Sequence, residues 1–161
     1  MTRKLWPILL LTFSLIGCYR NARFYPVQGP LSAQTPAPVL VGKVTGAFNS
    51  GDISVTLSDG EVCKGRWSVV PTPEVPKGGN AATAPANEGM PAAWDTVYGQ
   101  GYYVAHVLGT RLHAQAKLTG DRGTILQMEM YQTGEGAEHG NPASIKGVAK
   151  DDKSNIYKVT F

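Results

Sequence analysis

Few side chains in this 161-residue chain could do chemistry: two cysteines, three histidines and scattered carboxylates. Cys18 ends an apolar run directly after Gly17, where its thiolate is a nucleophile able to accept a covalent group. Cys63 is the second cysteine; with the Cys18 sulfur occupied it has no disulfide partner and is expected to be buried and inert. His106 and His113 flank Leu108-Gly109-Thr110-Arg111, which suits a two-residue hairpin loop with glycine first. That register sets Ala105 against Ala114, Val107 against Leu112, and the two imidazoles opposite each other with Cβ atoms about 5 Å apart. Two imidazoles can touch a divalent metal, but zinc needs three or four protein ligands and Tyr131, the next neighbour, is a poor third. They are therefore expected to be polar residues on a solvated sheet face, and no metal or cofactor is expected.

The remaining motifs are weaker. His139 lies in the glycine-rich segment Gly134–Gly140, expected to be a surface turn. Gly99-Gln100-Gly101 is followed by strand-like Tyr102-Tyr103, so it is not read as a phosphate loop. Asp151-Asp152 suits a turn. Trp94, Tyr98, Tyr102 and Tyr103 are expected as core and rim aromatics, a sugar- or peptide-stacking platform being the sharper alternative. There is no Cys-x-x-Cys, His-Glu-x-x-His or nucleophile elbow, so no catalytic residue is assigned.

Cys18 gains its meaning from what precedes it. Arg3 and Lys4 are followed by an apolar stretch from Leu5 to Ile16, too short for the roughly 20 residues that span a bilayer. The stretch ends Leu15-Ile16-Gly17-Cys18, which resembles the lipobox of bacterial lipoprotein precursors. The resemblance covers residues 1–18. It implies a diacylglyceryl group on the Cys18 sulfur, cleavage before Cys18 and acylation of the new amine. Several chains matter because one acyl chain alone anchors only marginally. Tyr19 stands where an Asp would resemble an inner-membrane retention signal, which points to the outer membrane.

Loss of residues 1–17 would leave 144 of the 161 residues, enough for one domain. Two of the 15 basic residues, Arg3 and Lys4, fall in the leader, leaving 13 against 12 acidic. A near-neutral chain without a basic cluster interleaved with aromatics is not expected to bind nucleic acid.

Residues 18–38, with five prolines and glycines, read as the lipidated end and a flexible tether. Residues 39–161 read as one β domain with a long Pro/Gly/Ala-rich loop at 71–93. Period-two alternation places strands near Val39–Phe48, Asp52–Leu57, Glu61–Val70, Tyr102–Leu108, Arg111–Thr119, Thr124–Gln132, Ser144–Lys150 and Ile156–Phe161, with no helix. The turn Asp121-Arg122-Gly123 sets Leu118 against Leu126, Ala116 against Met128 and Ala114 against Met130. Ser58-Asp59-Gly60 sets Val55 against Cys63 and Ile53 against Gly65, and Gly65 is expected to make room for the Trp67 indole. Small residues facing large ones suit a curved interior. The fold class is all-β: an antiparallel meander of about eight strands, closed as a barrel in preference to a two-sheet sandwich. The ending Tyr157-Lys158-Val159-Thr160-Phe161 is similar to the last strand of outer-membrane barrels. Such a barrel is apolar outside, whereas these hairpins are apolar inside, so those three apolar residues are expected in the core.

The expected function is that of a noncatalytic, lipid-anchored envelope protein at the periplasmic face of the outer membrane, with a protein, glycan or lipid partner. One alternative is an inhibitor of lysozyme or of a protease, although those known carry a disulfide this chain cannot form. The other is a small metal-dependent or hydrolytic enzyme, which would need a pocket gathering His106, His113 or His139 with carboxylates.

Overall fold

The computed structural model describes residues 19–46, 49–71, 89–110, 113–133 and 144–161. Eight antiparallel strands form a closed barrel in sequence order: β1 (Tyr19–Gln28), β2 (Leu40–Thr45), β3 (Ser50–Thr56), β4 (Val62–Val70), β5 (His113–Gly120), β6 (Ile125–Gln132), β7 (Ile145–Asp151) and β8 (Ile156–Thr160). Strand β1 closes the ring by pairing with both β2 and β8. Closure leaves no sheet edge open to another chain. Between β4 and β5 stand helix α1 (Gly89–Tyr98) and a short π-helical turn (Tyr103–Val107).

The interior is filled by side chains that alternate in size around the ring. One row runs Ala116, Met128, Ala149, Tyr157, and the next runs Ala114, Met130, Gly147, Val159. A ring of eight strands has a bore just wide enough for such side chains, so each large residue needs a small neighbour. Phe24, Leu118, Leu126, Ile53 and Val55 complete the core, and Phe161 packs against it at the rim. The outward face of β1–β5 carries Arg23, Lys43, Asp52, Lys64, Arg66 and Lys117, all exposed. A lipid-facing wall would have to bury those charges, which is costly.

Both short hairpins keep the register read from their turns. Val55 pairs with Cys63 and Ile53 with Gly65; Leu118, Ala116 and Ala114 pair with Leu126, Met128 and Met130. Gly65 serves a different purpose from the one expected. A Cβ there would run into the Lys117 carbonyl of β5, so the glycine admits a close backbone approach. The indole of Trp67 has its space above Gly51, its pairing partner, and donates from Nε1 to the Thr45 carbonyl at 2.9 Å.

Four other expectations are corrected. Residues 19–28 of the supposed tether are β1, whose alternation inserts Ala22 and Phe24 into the core. Only the Pro-containing stretch after Gln28 lies between strands. Of the loop at 71–93, residues 89–93 begin α1, while 72–88 lie outside the described residues. The strand expected at Tyr102–Leu108 is the π-helical turn, so the hairpin register built on Gly109-Thr110 does not exist. The partners of His113 are Val70 of β4 and Tyr131 of β6.

Candidate functional site

The two helical segments pack on the outside of the barrel over β6, β7 and β8 and create a second core. Ala93 and Trp94 of α1 join Tyr103 and Val107 of the π-helical turn against Tyr131, Val148 and Ile156 of the wall. The local sequence explains the shape. Pro91 sits near the start of α1, where its missing N–H costs no helical hydrogen bond. Met90, Trp94, Val97 and Tyr98 lie at helical spacing and make one apolar stripe. Gly99 and Gly101 adopt positive φ, and the Asp95 carboxylate holds the reversal by accepting from the Gly101 and Tyr103 amides at 3.0 Å each.

Beneath this cover lies the most unusual polar group of the fold. Outward-facing positions of β5 and β6 carry His113 and Glu129, and the cover buries both. The Glu129 carboxylate accepts from the Trp94 indole N–H at 2.9 Å and from the Gln115 side-chain amide at 3.0 Å. His113 Nε2 lies 3.4 Å from the same carboxylate, yet neither ring nitrogen has hydrogen-bond geometry to any partner. Burial and then the Glu129 charge push the Tyr103 phenol upward. A groove of about 450 Å³ between Met90 and the outer face of β4–β6 opens onto Gln115 and Glu129.

Next to it the aromatics form a deck. The rings of Trp94, Tyr98 and Tyr102 are stacked, with Tyr98 and Tyr102 centroids 4.7 Å apart, and His106 tilts against Tyr102 at 4.5 Å. Lys146 donates to the Tyr102 hydroxyl at 3.0 Å and stands 5.4 Å from that ring, while Lys158 stands 5.5 Å from the Tyr98 ring. The Tyr102 and Tyr131 hydroxyls are 2.6 Å apart. Burial pushes the Tyr98 phenol up to about 12 and Tyr131 higher still, so both stay protonated. These rings spend their faces on each other and on lysines.

The other end of the barrel carries a second polar knot. Glu61, 2% exposed, accepts from the Thr124 amide and hydroxyl and from the Arg122 amide. The Thr124 hydroxyl bond, offset in part by desolvation, leads the causes that hold its carboxyl below the usual range. Gly120 is required there, because a Cβ would collide with the Glu61 carboxylate. Asp151 ties the Lys153 and Asn155 amides to the Tyr157 hydroxyl, which arrives from the barrel interior. Cys63 is fully buried beside this knot, and burial raises its thiol to about 11.

The sequence-predicted residues are thus dispersed. His106 is exposed on the π-helical turn and His113 is sealed in the wall, so the opposed pair is not formed and His113 is not solvated. Cys18 and His139 lie outside the described residues. Among the described residues no group of three or more His, Cys, Asp or Glu side chains is placed to hold a metal. Glu129 was missed as the neighbour of His113, and Trp94 and Gln115 as the donors to Glu129. The helical spacing from Met90 to Tyr98 was the signal that could have found the cover. No protein-family model, curated protein or solved structure matches the chain.

Chemically, the Glu129 cluster is a closed hydrogen-bonded staple. A general base needs a proton to take and an acceptor site for a reacting atom. The carboxylate instead faces two satisfied donors and a buried imidazole. Its evident work is to pin the helical cover to the wall.

Proposed function

We propose that this chain is a lipid-anchored protein of the cell envelope, carrying its acyl chains on Cys18. The barrel is a noncatalytic module that meets its partner with its outer surface. The observation that carries the reading is the position of β1. It opens at Tyr19, the residue after Cys18, and Tyr19 already pairs with Thr45. Cleavage at the lipobox therefore leaves every described residue of the barrel in the mature chain. The packed interior supports an outer-surface partner, since Met128, Met130, Phe24 and Tyr157 occupy the space a ligand would need. Tyr19, standing where an Asp would resemble an inner-membrane retention signal, supports an anchor at the periplasmic face of the outer membrane.

The test is processing of a Cys18→Ala precursor in the native envelope. The proposal expects the longer, uncut chain to accumulate, because the lipoprotein cut requires the modified sulfur. A variant trimmed to the wild-type length would mean an ordinary secretory cut and would end the anchor reading.

A further inference from the structure

With no tether between Cys18 and β1, the way the barrel lies on the membrane is set by its own surface. The outward positions of β1–β4 nearest Tyr19 line a shallow groove of about 610 Å³ that includes Lys43, Ser54, Lys64, Arg66 and one acid, Asp52. Lys43 Nζ stands 5.4 Å from the Tyr19 ring, itself 56% exposed. Register places Lys43 beside Ser54 and Lys64 beyond it, with Asp52 and Arg66 in the adjoining row. The Arg66–Asp52 pair is 3.8 Å apart with both side chains more than three-quarters exposed, so solvent screens it and the guanidinium stays available.

The opposite end has the opposite sign. The turns 57–61, 121–124 and 151–155 carry Asp59, Glu61, Asp121, Asp151 and Asp152 against Arg122 and Lys153. The groove is not remote from these turns, since Lys43 lines a neighbouring hollow with Ser58 and Lys64 stands three residues from Glu61. Three cations against one acid leave the groove itself net positive.

We infer that the outer face of β1–β4 around Tyr19, Lys43, Lys64 and Arg66 is a docking surface for anionic phospholipid headgroups of the leaflet that holds the acyl chains. The inference rests on the anchor reading. Tyr19 sits at headgroup level, as amphipathic aromatics do, and the three cations face lipid phosphates.

The experiment uses the full lipidated protein in vesicles and reads the rate of amine acetylation at individual lysines by mass spectrometry. In phosphatidylethanolamine–phosphatidylglycerol vesicles, Lys43 and Lys64 should react about fivefold more slowly than in detergent, matching a cation held by an anionic surface. Lys153 at the acidic end should be unaffected, and molar salt should restore the rate. Arg66→Gln with Lys43→Gln should weaken protection of Lys64 while leaving the melting temperature unchanged. Equal rates in all media overturn the docking surface. So does protection that is as strong in phosphatidylcholine, or that inorganic phosphate reproduces in detergent. The mass of the N-terminal peptide separates the two claims. If Cys18 is bare, the anchor reading fails, and the lysine rates on vesicle-bound chains still decide the face.

Discussion

Trp94→Phe tests whether the Glu129 staple holds the helical cover. Phenylalanine keeps an aromatic ring against Tyr131 but removes the N–H that reaches Glu129 at 2.9 Å. Trp94 is fully buried and Glu129 is 5% exposed, so the donor is lost from a largely desolvated carboxylate. Leaving a buried charged acceptor short of one bond costs about 1–3 kcal/mol. Loss of ring area adds to that, and at about 2–4 °C per kcal/mol the melting temperature should fall by roughly 3–12 °C. Glu129→Gln removes the charge from the same bond. The cycle of single and double variants should give a coupling of about 1–2 kcal/mol by urea denaturation, within the range for contacting buried groups. Hydrogen exchange locates the effect. A helix of ten residues is marginal alone, so α1 and the π-helical turn should lose protection first while β3–β5 keep theirs. A coupling below about 0.3 kcal/mol, the level at which independent sites add, would refute the staple.

Other expectations are equally direct. Glu61 and Asp59 both have carboxyls held below their ordinary values, the first mainly by the Thr124 hydroxyl and the second by the Glu61 amide. Depressed values mean stability that is present above the unfolded pKa and lost as pH falls through the folded one. Urea midpoints should therefore drop below about pH 4, and Glu61→Gln should flatten that slope; an unchanged slope would show the knot is electrostatically idle. Gly120→Ala should destabilise by about 1–3 kcal/mol by overpacking against Glu61, detectable as a lower melting temperature. Cys63, buried with its thiol raised to about 11, should resist a thiol reagent at neutral pH until the barrel is unfolded in denaturant.

The barrel was legible where tight turns met alternating strands. Asp121-Arg122-Gly123 and Ser58-Asp59-Gly60 each set one register, and inward residues of the joined strands then had to agree. Strand β1 was hidden because only Ala22 and Phe24 point firmly inward and Pro26 adjoins a bulge before a proline-containing stretch. Its hydrogen bonds come from β2 and β8, neither of which neighbours it closely enough in sequence to set a register for both. The helical cover was hidden for a different reason. Gly89 and Pro91 punctuate a stretch already rich in both, and Tyr102-Tyr103-Val104 has strong strand propensity. The surrounding core overrode that propensity, because Tyr103 and Val107 could bury apolar surface on the barrel wall only as a helical turn. The Glu129 staple inherits the error: without the cover, outward-facing His113 and Glu129 read as solvated. Cys18 lies outside the described residues, and its reading rests on linear order alone.

The most direct measurement is the mass of the N-terminal peptide from protein extracted from its native membrane. A peptide that begins at Cys18 and carries diacylglyceryl on sulfur is the predicted result. An unmodified Cys18, or a mature chain that begins at another residue, would contradict the account.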